Sequence, residues 1–252
     1  MQVGFLNPVS YAGNSTATVW PVPPAMCDRE AVAETMRRGK EQLRLADTLG
    51  FDWVSVSEHH YSPRIMTPSP MIYAGAITEV VKRAKISVLG PLLPLSNPVR
   101  VAEELAMLDA MSDGRIIVLF LRGTANEILA YRNNPDEAQA VTREGIDLIL
   151  HAWTEPQPFG WEGRYFNYRT VSVWPHIIAF WCWIQLPSRE AEGERSLPIL
   201  PSHLPTSVLE RSAFWVSLGA SFPRLPRPSI HRSKFRGLSL SLPRSPRCRA
   251  RN

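Results

Sequence analysis

Four short apolar runs recur along the first 121 residues: VGFL (3–6), DWVSVS (52–57), KISVLGPLLPL (85–95) and RIIVLFL (115–121). Each is followed by a segment of helical period, expected over 29–49, 70–83, 98–112 and 137–153. Strands that alternate with helices pair in parallel, because the crossover returns the chain to the same end of the sheet. The runs are nearly continuous in apolar residues, as they must be when both faces of a strand are covered. Local signals agree with this order. Asp28 can cap the first helix and Gly50 end it; Pro98 opens the third helix and Asp113-Gly114 stops it. FGWEGRYFNYRTVSVW (159–174) reads as a short hairpin. The fold class is therefore α/β with a parallel sheet, and a TIM (β/α)8 barrel, of which four to five N-terminal βα units would be present, is the leading alternative. Neither GxGxxG nor GxxxxGK[ST] occurs, so the dinucleotide-binding and P-loop versions of α/β are not indicated.

The pattern stops at Pro175. Residues 176–252 hold nine Pro, twelve Ser and eleven Arg, and no helical or strand period persists in them. Eleven Arg and one Lys stand against four Glu, a surplus of +8, so residues 1–175 carry −3 of the overall +5. Two regions follow: a partial barrel over 1–175 and an aberrant or disordered basic tail over 176–252. A change of reading frame near codon 175 would give this composition. A nucleic-acid-binding tail would mix Lys with Arg in a repeated pattern, so nucleic acid is not an expected partner. Cys27, Cys182 and Cys248 form no CxxC pair, which speaks against a disulfide framework and fits the cytoplasm. No basic leader precedes an apolar core, and IIAFWCWI (177–184) is too short to span a membrane.

The chemistry concentrates at the end of the second strand, in SVSEHHYSP (55–63). Taken alone, Glu58, His59 and His60 suit a metal site, a proton-transfer site, a cofactor contact or a structural pair. Metal is disfavoured, because EHH does not set two imidazoles on one helical face and no third ligand is in view. Adjacent residues at a strand end point in different directions, so one histidine at most faces a pocket. Glu103, Glu104 and Asp109 read as a solvated helix face and a cap or interface contact, without chemistry, and Trp53, Trp153 and Trp174 as core or barrel-closing aromatics.

FDWVSVSEHHYS, SVLGPLLPLSNPVRVAEELAMLDAMSDGR, LRGTANE and WTEPQPFGWEGRYFNYRTVSVWP, in this order and spacing, resemble the bacterial luciferase-like flavin-dependent monooxygenase family. The resemblance covers residues 1–175. It implies a (β/α)8 barrel with the flavin at the C-terminal ends of the strands. The implied reaction consumes reduced FMN, O2 and a small organic substrate, and a flavin reductase supplies the reduced FMN. Some relatives use a deazaflavin for hydride transfer instead. His59 matches the family histidine beside the flavin that acts on the reacting oxygen or its proton, with Glu58 and His60 as supports. Leu89 and Gly90, with Pro91, match a bulged strand end against the flavin ring. Arg122 and Asn126 match the fourth strand's loop near the flavin, and Asn7 stands at the first strand's end. A homo- or heterodimer is implied as well. In the family the flavin phosphate is held by the second half of the barrel, for which 176–252 offers no counterpart. Two readings stay open: a flavin monooxygenase, and a non-catalytic remnant or interaction protein that keeps the half-barrel.

Overall fold

The computed structural model describes residues 2–13 and 19–177, and the backbone of 181–184. Four βα units follow one another: β1 (Gly4–Leu6), α1 (Arg29–Thr48), β2 (Trp53–Ser57), α2 (Pro70–Thr78), β3 (Lys85–Leu92), α3 (Pro98–Met111) and β4 (Ile116–Leu121), then a short α4 (Ala125–Ala130) and α5 (Ala138–Thr154). An antiparallel hairpin, β5 (Phe159–Glu162) and β6 (Asn167–Val171), precedes β7 (Trp181–Ile184). The main sheet has the order β1-β2-β3-β4-β7, with every neighbour parallel. This is the sequential parallel order of a (β/α)8 barrel.

Alternation along the strands separates two faces. Val54, Ile86 and Ile116 lie in one row and Val56, Val88 and Val118 in the next. All six sit in the core with Leu43 and Ala46 of α1, Ala74 and Ile77 of α2, Leu105 of α3 and Ile149 of α5. Full burial of a Leu, Ile or Phe such as Leu43, Ile77 or Phe120 contributes about 1.5–3 kcal/mol each. The other face presents Ser55, Ser57, Ser87, Leu89 and Leu119 in register.

The expected elements appear with three differences. α2 ends at Thr78 and not at 83, because the amides of Lys82, Arg83 and Ala84 turn to the Asp47 carboxylate (2.6–3.4 Å) instead of continuing the helix. α4 is additional. Past residue 175, where the sequence promises no regular element, Trp181–Ile184 pairs with Ile117–Phe120 of β4. The remaining expectations for 176–252 fall outside the described residues from 185 onward.

Two side-chain readings are corrected. Asp109 departs from the solvated-face part of its reading: it is 1% exposed near the C-terminal end of α3, where its main-chain carbonyl accepts the Ser112 hydroxyl (3.2 Å) and the Gly114 amide (2.9 Å). Trp174 is not core but 82% exposed. Asp28 does cap α1, accepting the Ala31 amide at 2.7 Å, and Gly50, at φ +92°, allows the chain to leave it.

Candidate functional site

The C-terminal ends of β2, β3 and β4 converge on one cluster of two histidines and two buried carboxylates. β2 delivers Glu58, whose amide still donates to the Leu89 carbonyl (3.0 Å), so the strand pairing persists to the first site residue. Glu58 is 6% exposed. Its Oε2 accepts the Leu92 amide at 3.0 Å, and its Oε1 stands 3.0 Å from His60 Nε2. The other ring nitrogen of His60, Nδ1, lies 3.1 Å from the Tyr131 hydroxyl.

β3 reaches this cluster through a bulge. Leu89 and Gly90 both oppose Leu119 of β4, Gly90 has φ +123°, and the Gly90–Pro91 peptide is cis. A Cβ at position 90 would stand 3.0 Å from Glu58 Cβ and 3.1 Å from its Oε2. Glycine is thus demanded twice here, by the backbone angle and by the carboxylate behind it.

β4 contributes through the loop that starts α4. Thr124 caps that helix and Glu127 is its third residue, forming a capping box. Glu127 Oε2 accepts the Thr124 amide (3.3 Å) and hydroxyl (2.5 Å). Its Oε1 accepts the His60 amide (2.8 Å) and faces His59 Nδ1 (3.2 Å). One carboxylate therefore ties the β4 loop to both histidines. Burial alone would push the Glu127 carboxyl up, but the hydrogen bonds from Thr124 and the His60 amide, with the His59 ring, outweigh it and hold it below the ordinary value.

His59 is the most open member, with 39% of its side chain exposed and no described partner at Nε2. Ser57, one turn of the pleat before it, is 7% exposed, and its Oγ has no hydrogen-bond partner among the described residues. Leu89 is half-buried on the same sheet face as Ser57. Arg122 is exposed and makes no hydrogen bond or ion pair with a described residue; Asn126 is exposed in the first turn of α4. Asn7 is not brought to the cluster. Its amide nitrogen donates to Gly39 O and Gln42 Oε1 of α1 (both 3.1 Å), and its Oδ1 accepts the Val9 amide (2.8 Å).

An aromatic rim borders His60. Trp20 meets Tyr61 edge-on at 5.6 Å, Tyr61 lies 5.8 Å from Tyr131, and Tyr131 meets His60 edge-on at 5.2 Å. Tyr61 occupies the left-handed region at φ +57°, uncommon for a bulky residue, which turns its ring toward that rim. Tyr131 titrates high, at about 12, first through burial and then through the neighbouring Tyr61 phenol and the nearby Glu58 and Glu127 carboxylates. Glu127 and Tyr131 escape a reading for catalytic motifs. The spacing Thr124-x-x-Glu127 is visible in the sequence, but as a helix-start signal. Two clefts of about 220 and 170 Å³ flank the β5–β6 hairpin, and neither is lined by His59 or His60. Among the described residues no three His, Cys, Asp or Glu side chains gather as a metal ligand set, and no helix is long and apolar enough to cross a membrane.

Comparison with known proteins identifies the family and supports the fold. A family profile described as luciferase-like monooxygenase matches residues 4–179. The alkanal monooxygenase beta chain of Vibrio harveyi is 34% identical over 133 residues, covering 52% of this chain and 41% of its own. A monooxygenase from Streptomyces bottropensis superposes with a TM-score of 0.59 at 26% identity, over 70% of this chain and 50% of its own. The oxygenating constituent of 3,6-diketocamphane monooxygenase from Pseudomonas putida, in complex with FMN, shares the fold with a TM-score of 0.55 at 20% identity, over 66% of this chain and 44% of its own. The chain thus spans about half the length, or less, of these relatives.

Proposed function

The chain belongs to the luciferase-like monooxygenase family, and from that premise we propose that it carries the flavin-facing half of a flavin-dependent monooxygenase site. The carrying observation is His59, which stands at the C-terminal end of β2 with Nδ1 on a buried carboxylate and Nε2 without a described partner. A barrel enzyme does its chemistry at that end of the strands.

The available groups suit FMN. Arg122 is a cation with no described partner, able to sit by an electron-rich ring. Ser57 Oγ is a buried hydroxyl in want of a hydrogen bond, and Leu89, Gly90 and Asn126 edge the same strand ends. Reduced FMN, when bound, supplies the electrons that activate O2. His59 takes or returns a proton at Nε2 next to the reacting oxygen, a task suited to an imidazole near neutral pH. Glu58 and His60 hold the loop that carries it. A small organic substrate, a flavin reductase as source of reduced FMN, and a second chain in a dimer complete the assembly; the alkanal monooxygenase relatives are named as beta chains, as in Vibrio harveyi, and as an alpha chain in Photorhabdus laumondii.

Titration of the purified chain with FMN, oxidised and reduced, tests this reading. Saturable quenching of flavin fluorescence, or a shift of its absorbance, is expected. No binding at high micromolar FMN excludes catalysis by this chain alone. Saturation only by a deazaflavin redirects the chemistry to hydride transfer.

A further inference from the structure

Two adjacent histidines meet two buried carboxylates, and the donor and acceptor roles can be worked out from the geometry. Glu127, at 2% exposure, receives two N–H groups and one hydroxyl besides His59. A carboxylate surrounded by donors stays ionised and only accepts. The His59 nitrogen facing it at 3.2 Å, Nδ1, must then carry the proton. On the other side Glu58, 6% exposed, already accepts the Leu92 amide. The nitrogen it faces on His60 is Nε2, so there the proton belongs to Nε2. Neutral His60 is left with a bare Nδ1, and the Tyr131 hydroxyl at 3.1 Å donates to it.

We propose that Glu127 is a positioning residue that locks His59 in the Nδ1–H tautomer and keeps its Nε2 an acceptor, while Glu58 and Tyr131 lock the neighbouring His60 in the opposite tautomer. The proposal rests on the reading of His59 as the group beside the reacting flavin. Its consequence is a division of labour. His60 spends both nitrogens on the protein. His59 spends one and offers the other, in the form able to take a proton from an oxygen. A free imidazole in water prefers the Nε2–H form, so Glu127 reverses the default at the residue where the reversal matters. The same carboxylate holds the His60 amide, so the β4 loop sets the orientation of a β2 residue.

The test uses the full chain without flavin, so its outcome is independent of whether flavin binds. Protein labelled with 15N-histidine is examined by long-range proton–nitrogen correlation at about pH 8, above the ordinary histidine range. His59→Gln and His60→Gln assign the two signals. The expected spectrum shows His59 protonated at Nδ1 and His60 at Nε2, each by at least about tenfold, since a hydrogen bond to a charged group exceeds the 1.4 kcal/mol that equals tenfold in population. In Glu127→Gln the preference at His59 falls toward an even mixture while His60 is unchanged. In Glu58→Gln the response is reversed. A wild-type spectrum with His59 in the Nε2–H form, or as a rapid even average, overturns the proposal even if a variant fails to fold. So does a Glu127→Gln protein whose His59 signal does not move. If the tautomers are as expected and flavin does not bind, the positioning role stands and the monooxygenase reading falls.

Discussion

The two ends of the β-sheet solve one problem with the same functional group, a carboxylate, and different partners. At the N-terminal end of the strands, Asp47 of α1 accepts the amides of Lys82, Arg83 and Ala84, and Arg115 donates to the carbonyls of Val81 and Ala84. At the C-terminal end, Glu58 and Glu127 accept the amides of Leu92, His60 and Thr124. Each carboxylate ties off main-chain N–H groups where a strand or helix stops, which is a structural necessity for half-buried backbone. The difference lies in what else arrives. Asp47 gathers main chain and one guanidinium neighbour, whereas Glu58 and Glu127 each gather an imidazole as well. A group that closes off backbone at the lower end sets proton positions at the upper one.

The largest expected effect breaks the upper end. Gly90→Ala places a side chain at φ +123°, a conformation L residues rarely adopt, and sets its Cβ about 3 Å from two atoms of Glu58. Backbone strain of this kind costs about 1–3 kcal/mol, and displacing Glu58 from Leu92 N and His60 adds to it. A loss of about 3 kcal/mol in urea unfolding is expected, with any flavin affinity lost too. A change below about 1 kcal/mol shows that the bulge relaxes without Glu58.

Next in size is the lower end. Asp47→Ala leaves the exposed amides of Lys82 and Arg83 and the part-buried amide of Ala84 without their acceptor and is expected to cost about 1–2 kcal/mol, with flavin binding and the histidine tautomers unchanged. Burial would raise the Asp47 carboxyl, but the amides of Lys82, Ala84 and Arg83 and the Arg83 charge prevail and hold it below the ordinary carboxylate range. A carboxyl depressed in the folded state adds stability above its unfolded pKa, and that contribution disappears as pH falls through the folded value. The wild-type chain should therefore lose more stability than the variant when acidified below about pH 4. Parallel acid profiles for the two proteins contradict the clamp.

How much of this was legible in the sequence follows the same division. The strands and the helix starts were readable because apolar runs, Asp28, Pro98 and Asp113-Gly114 act through neighbours in the chain. The end of α2 was not, because its competitor Asp47 lies 35 residues away from Lys82. At the site, EHH announced itself by composition, whereas Glu127 reaches His59 across 68 residues and its local pattern speaks only of a helix start. Asn7 shows the converse. It stands at a strand end, as a pocket residue should, yet its amide is spent on α1. Sequence position tells where a side chain starts and leaves open which partner claims it.

The smallest effect tests how far the upper cluster depends on its rim. Tyr131→Phe removes the hydroxyl that faces His60 Nδ1 and keeps the ring that meets His60 edge-on. Tyr131 is 40% exposed, so water can replace the lost donor, and a stability loss of about 0.5–1 kcal/mol is expected. The His60 proton should stay on Nε2, because Glu58 is untouched and its bond is the stronger, charge-assisted one. The alkaline limb gives a second readout. Burial, then Tyr61, Glu58 and Glu127, push the Tyr131 phenol up to about 12, so the folded state keeps a proton that the unfolded chain releases near the ordinary 10. A raised pKa contributes stability that is whole below the unfolded value and is lost as pH rises through the folded one. Wild-type stability should thus decline more steeply than that of Tyr131→Phe between about pH 10 and 12. If the variant instead releases His60 from Glu58, the rim is part of the proton-setting machinery, and the boundary between structure and chemistry at this end of the sheet lies at Tyr131, one shell further out than the carboxylates.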